Sequence, residues 1–199
     1  MPEDVRSPQA AFYFDLASPL AYLAAEQVLH ALPGPAEWRG VLAGALPGAA
    51  DGSRPGAETD EQFRAGIEDR AAELELQPLR WPEPFPFDSR LAMLIATYAR
   101  SIGRAVPFAQ AAFRQAFAGG RSLADQDSVL IAAAACEMHP SAVLRAAGMR
   151  SLSAQLDAST AHAAGAGVRE VPAVTVGGQA FHGEGALAQA AAAMLEGAR

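Results

Sequence analysis

Lysine and asparagine are absent from this chain, and cysteine occurs once, as Cys136. Without lysine there is no Schiff base to a carbonyl compound or to pyridoxal phosphate, and no phosphate-binding loop ending in Gly-Lys-Ser/Thr. A single cysteine excludes an intrachain disulfide and a Cys-x-x-Cys redox pair, which suits a reducing compartment. The four histidines, His30, His139, His162 and His182, show no metal-binding spacing, and with one thiol no zinc site is expected. Positive charge is also short: 15 basic residues, all arginine, face 22 acidic ones, a formal net charge of -7. Such a surface repels phosphate backbones and acidic membranes, so neither nucleic acid nor membrane is expected as a partner. No run approaches the roughly 18 apolar residues that cross a bilayer. Met1 to Gln9 is polar with no basic segment leading into an apolar one, so a cytoplasmic protein is expected.

What the chain does have is a core: 51% of its 199 residues are hydrophobic, enough for one large domain or two small ones. Ala11 to Phe14 is a short aromatic run closed by Asp15, and Ser18 with Pro19 supplies an N-cap and a first-turn proline. Strand, turn and helix are therefore expected in that order, the helix ending near Ala31 before Pro33-Gly34-Pro35. A second strand is expected over Ala36 to Leu42, completing a β-α-β unit with parallel strands. Ala43 to Gly56, rich in Gly and Pro, reads as loop.

From Glu58 to Gly167 the apolar residues recur at helical spacing. Phe63, Ile67, Ala71 and Leu74 share one face, as do Leu91, Leu94, Ile95, Tyr98 and Ile102. Further helices are predicted over Phe108 to Phe117, Ser128 to Glu137, Ser141 to Ala147 and Leu152 to Ala164. Between the first two, the proline-rich tract Gln77 to Asp88 is extended. Beyond Gly167, Val171 to Val176 and Gln179 to His182 read as strands joined by Gly177-Gly178, a turn that wants positive φ. A final helix is expected from Glu184 to Leu195.

The order β-α-β, helical block, β-β-α is that of the thioredoxin fold with a helical insertion. It divides the chain into residues 10–44 with 168–199 and an insertion over 57–166. The segment Phe12-Tyr13-Phe14-Asp15-Leu16-Ala17-Ser18-Pro19-Leu20-Ala21-Tyr22-Leu23 closely resembles the opening of the 2-hydroxychromene-2-carboxylate isomerases and kappa-class glutathione transferases, DsbA-like members of that fold. Phe85-Pro86-Phe87-Asp88-Ser89 is similar to the family's Phe-Pro-x-Asn-Thr/Ser, and Val171-Pro172 resembles its cis-proline.

The resemblance implies a glutathione-dependent isomerase or transferase acting on a small aromatic carbonyl or carboxylate compound, with a homodimer as the usual assembly. Ser18 becomes the candidate catalytic residue. It stands in the first turn of a helix, where free N–H groups and the dipole favour an anion, and in the family its hydroxyl holds the glutathione thiolate. The plain alternative is a Ser that only caps its helix. The resemblance further implies that the Val171-Pro172 bond is cis and that the Val171 backbone pairs with the cysteinyl part of glutathione. Leu20, Trp81 and Phe85 are candidates to wall an aromatic substrate, and the last two equally suit packing of their own loop.

Three departures bear on the cofactor. Asp88 replaces an amide by a carboxylate, which has no N–H to donate. Gly185 and Ala186 stand where the family carries an acid and a base. Glu184, one residue early, is a candidate to pair with the glutathione amino group, or else a favourable charge in the first turn of the last helix. The family's lysine near the site has no counterpart, so an arginine would have to stand in. These losses lead us to expect weaker glutathione binding, and they keep open a non-catalytic DsbA-like protein that binds a peptide or small ligand. Cys136, in an alanine-rich helix, is expected to be a buried, inert thiol.

Overall fold

The computed structural model describes residues 9–51 and 60–197. Loop residues 52–56 and the expected start of the insertion at 57–59 lie outside it. Strand β1 (Ala10–Phe14) leads through Ser18 into helix α1 (Pro19–Ala31), followed by β2 (Ala36–Gly40). Two short 3₁₀ turns, Ala43–Ala45 and Pro47–Asp51, occupy the described part of the expected loop. The insertion comprises α2 (Asp60–Glu73), α3 (Arg90–Ser101), α4 (Ala105–Phe117), α5 (Gln126–Ala134), α6 (Pro140–Ala147) and α7 (Arg150–Gly165). Strands β3 (Ala173–Val176) and β4 (Gln179–His182) and helix α8 (Ala186–Glu196) close the chain.

The four strands form one mixed sheet in the order β2-β1-β3-β4, with β1 and β2 parallel and the other pairs antiparallel. This is a DsbA-like thioredoxin fold: a β-α-β unit and a β-β-α unit share one sheet, and the helices between them pack against it. Gly177 and Gly178 both have positive φ, 57° and 85°, as a tight two-residue hairpin requires.

All five residues of β1 are buried because the strand is central and covered on both faces. Phe12 and Phe14 enter the larger core, where Phe12 meets Trp38 edge-on at 4.9 Å and Phe14 lies 5.8 Å from Phe113 of α4. Ala11 and Tyr13 point the other way, into a smaller cluster with Val41, Leu46 and Val168. Burying a Phe is worth about 1.5–3 kcal/mol, and the larger core runs without a break from the sheet into α3, α4 and α5.

Several boundaries differ from the sequence reading, each for a local reason. Helix α5 starts at Gln126, capped by the Asp125 side chain accepting from the Ser128 N–H, and it stops before Glu137, whose φ is 60°. The second strand ends at Gly40, after which the Val41 N–H donates to the Phe14 carbonyl. Helix α8 begins at Ala186, so Glu184 lies in the turn before it and is no first-turn charge. Among the described residues, no helix is long and apolar enough to cross a membrane.

Candidate functional site

Ser18 sits where the β1–α1 turn meets the helix, and the turn is tied by Asp15. The Ser18 N–H donates to the Asp15 carbonyl, and the Ala17 N–H donates to Asp15 Oδ1 at 2.9 Å. Ser18 Oγ accepts from the Ala21 N–H at 3.1 Å, so the residue does cap α1. That bond uses a lone pair and leaves the O–H free to donate. Helix α1 has no acidic residue in its first turn to offset its positive end.

The hydroxyl lines a cavity of about 520 Å³ between the turn, the 3₁₀ segment Leu42 to Ala45, and Pro86 to Arg90. Asp88 lines the same cavity from an exposed position and accepts the Arg90 N–H at 2.9 Å. The structure therefore brings Ser18 and Asp88 together.

Asp15, which the sequence reading took only as the end of a strand, also lines this cavity, and it is 4% exposed. Its Oδ2 accepts from the Ala43 N–H at 2.9 Å, and the Ser89 side chain lies near enough to favour the ionised carboxyl. Burial pushes the Asp15 carboxyl above the ordinary carboxylate range and the nearby Asp88 charge adds to this, against the opposing pull of the two amides and of Ser89. Ser89, the residue before α3, makes no side-chain capping bond to its own helix.

A second, smaller cavity of about 140 Å³ lies beside Pro172 and is lined by Leu20, Pro172, Gly183, Glu184, Leu187 and Arg70, among others. The Val171-Pro172 bond is cis. Val171 itself packs, half-buried, against the smaller core cluster. Glu184 forms an ion pair with Arg70 of α2. Arg70 was not singled out in the sequence, where it is one more polar residue on an exposed helix face, and only the docking of α2 beside α1 brings it to Pro172. Gly185 caps α8 without a side chain, and Ala186 is 1% exposed, so the family's basic position is filled by a packed methyl.

Leu20 and Ser18 are two residues apart and line different cavities, one on each side of the start of α1. Trp81 and Phe85 line neither. Their rings lie 4.9 Å apart and pack against Phe117, with Arg64 over both faces and the Trp81 indole N–H donating to Glu68. Their placement is that of a packed loop. Among the described residues no three His, Cys, Asp or Glu side chains gather as metal ligands would.

The fold and this site define a class: a thioredoxin-type scaffold with a cis-proline before the hairpin and a serine, in place of a redox cysteine, at the first helix. The chain belongs to the DSBA-like thioredoxin domain family, whose sequence profile matches residues 45–194. Among solved structures, a 2-hydroxychromene-2-carboxylate isomerase superposes with a TM-score of 0.78 at 17% identity, covering 94% of each chain. A probable DsbA oxidoreductase from Streptomyces coelicolor gives 0.77 at 19% identity, covering 96% of this chain and 89% of the other. The cytosolic disulfide reductase DsbM from Pseudomonas aeruginosa with GSH gives 0.61 at 14% identity, covering 94% of this chain and 96% of the other. At such identities the likeness establishes the fold. No curated protein matches the sequence.

Proposed function

We propose that this protein is a glutathione-dependent isomerase or transferase acting on a small aromatic carbonyl or carboxylate compound. The observation that carries the reading is the Arg70–Glu184 pair beside Pro172, in a cavity lined by Leu20, two residues from Ser18. Glutathione has a zwitterionic γ-glutamyl end, which needs an acceptor for its ammonium and a donor for its carboxylate. Glu184 and Arg70 are such a set, and they supply the acid and the base absent at Gly185 and Ala186. The family's lysine is replaced in this reading by Arg70.

Bound glutathione would supply a thiol nucleophile that adds to an electrophilic carbon and leaves again, with no net redox change. The protein's part is then to bind and orient. Arg70 and Glu184 hold the charged end, the Val171 backbone pairs with the cysteinyl unit, and the Ser18 O–H donates toward the sulfur at the positive end of α1. Leu42 to Ala45 and Phe87 offer an apolar wall for the substrate.

The two acids in the Ser18 cavity favour a second reading, a non-catalytic protein binding some other ligand in this groove, because Asp15 and Asp88 both repel a thiolate placed there. Calorimetric titration with glutathione separates the two, followed by a chromene carboxylate isomerase assay. Saturable binding that Glu184→Gln weakens supports the first reading. No binding to the folded protein overturns it.

A further inference from the structure

The turn between β1 and α1 presents the backbone N–H groups of Leu16, Ala17 and Ser18. Two of them bond within the turn, Ala17 to Asp15 Oδ1 and Ser18 to the Asp15 carbonyl. The third leaves it: the Leu16 N–H donates to Met93 Sδ of α3 at 3.3 Å. Leu16 and Met93 are both 0% exposed, so no water can take the place of the sulfur. A thioether is a weak acceptor, but a buried N–H with no acceptor at all carries the full cost of its lost hydration. A leucine at position 93 would fill the space and leave that amide unpaired.

Met93 stands one helical turn beyond the residues that wall the Ser18 cavity. Its own N–H donates to the Ser89 carbonyl at 2.8 Å, and Asp88, Ser89 and Arg90 line the cavity together with Ser18. The Met93 methyl lies over Gly40, the last residue of β2, where a Cβ would come within 2.6 Å of it. One side chain therefore touches the end of β2 and the turn that presents Ser18, while its own helix carries a wall of the cavity.

We propose that Met93 is a positioning residue: its sulfur fixes the turn against α3 and so sets where the Ser18 hydroxyl stands relative to the wall formed by residues 86–90. What Ser18 does there rests on the glutathione reading above, whereas its placement by Met93 does not.

The test is amide nuclear magnetic resonance on two variants. Met93→Leu is close in volume and lacks the acceptor, and Gly40→Ala keeps the sulfur but crowds its methyl. In both, the Leu16 amide should exchange with solvent at least about tenfold faster than in the wild type. The Ser18 and Ala21 amide signals should shift with it, because the Ala21 N–H reports on Ser18 Oγ through the capping bond. Wild type labelled with selenomethionine retains an acceptor and should keep the protection of Leu16. In turnover with glutathione, Met93→Leu should lower kcat about ten- to a hundredfold with KM for glutathione within about twofold, since Arg70 and Glu184 are untouched. The proposal fails if Leu16 protection is unchanged in the folded variant, if Ser18 and Ala21 stay in place while Leu16 moves, or if KM rises and kcat holds. Should Met93→Leu not fold, Gly40→Ala decides by the same signals. A wild type that neither binds nor uses glutathione overturns the proposed function instead, and the amide signals still decide whether Met93 places Ser18.

Discussion

The buried carboxyl of Asp15, just past the end of β1, accepts the Ala43 N–H, on the segment after β2, at 2.9 Å through its Oδ2. Asp15 also takes the Ala17 N–H, so one side chain ties together the turn that presents Ser18 and the segment after β2.

That junction should be visible in the pH dependence of stability. Burial raises the Asp15 carboxyl above its ordinary value of 3.8, so the folded protein holds this proton more tightly than the unfolded chain. Its favourable contribution is complete below 3.8 and is lost as the pH climbs through the raised folded value. Asp15→Asn has no such proton and places an amide N–H₂ against a backbone N–H, a loss of about 1–3 kcal/mol. In urea unfolding, the advantage of the wild type over the variant should be largest below pH 3.8 and shrink as the pH rises above it. An advantage that grows with pH would show that hydrogen bonding, not burial, governs this carboxyl.

Ser18 caps α1, and under the proposed function it has a second, separable task of offering its O–H to the cavity. Ser18→Ala should lower stability by about 1 kcal/mol, whereas Ser18→Asp keeps the cap and the stability. Both should abolish glutathione-dependent turnover, because neither can donate a hydrogen bond to a thiolate near neutral pH. An active Ser18→Ala enzyme would leave Ser18 as a cap alone.

Arg70 and Glu184 should matter for ligand far more than for folding. An exposed ion pair contributes about 0–1 kcal/mol, so Arg70→Gln and Glu184→Gln should melt within a few degrees of the wild type. Under the proposed function each would remove a bond to a charged group of glutathione, worth about 1.5–3 kcal/mol, or roughly ten- to a hundredfold in affinity. Equal losses of stability and affinity would assign the pair a structural role.

Cys136 is 6% exposed, and burial pushes its thiol up, with Arg104 pulling only weakly the other way. A disulfide reagent should label it slowly in the native protein and to completion in denaturant. Fast native labelling would mean that this end of α5 opens readily.

Much of the architecture was legible along the chain because it rests on local chemistry. Ser18-Pro19 can start a helix wherever it occurs, Gly177-Gly178 can turn a hairpin, and the alternation in Ala10 to Phe14 follows from a central strand facing two cores. The boundaries of α5 and α8 were less legible, since Asp125 and Gly185 act as caps only through geometry that several neighbouring residues could have supplied. The partnerships at the site were not legible at all. Arg70 and Glu184 are separated by more than half the chain, and no periodicity records which exposed arginine will face which turn. Asp15 looked like no more than the end of a strand until packing buried its carboxyl. Sequence determined the elements and their order, because propensity, capping and turn chemistry act within a few residues. Tertiary structure decided which charges meet, because that depends on how α2, α3 and α7 dock on the sheet, and docking is set by the sum of many apolar contacts rather than by any short motif.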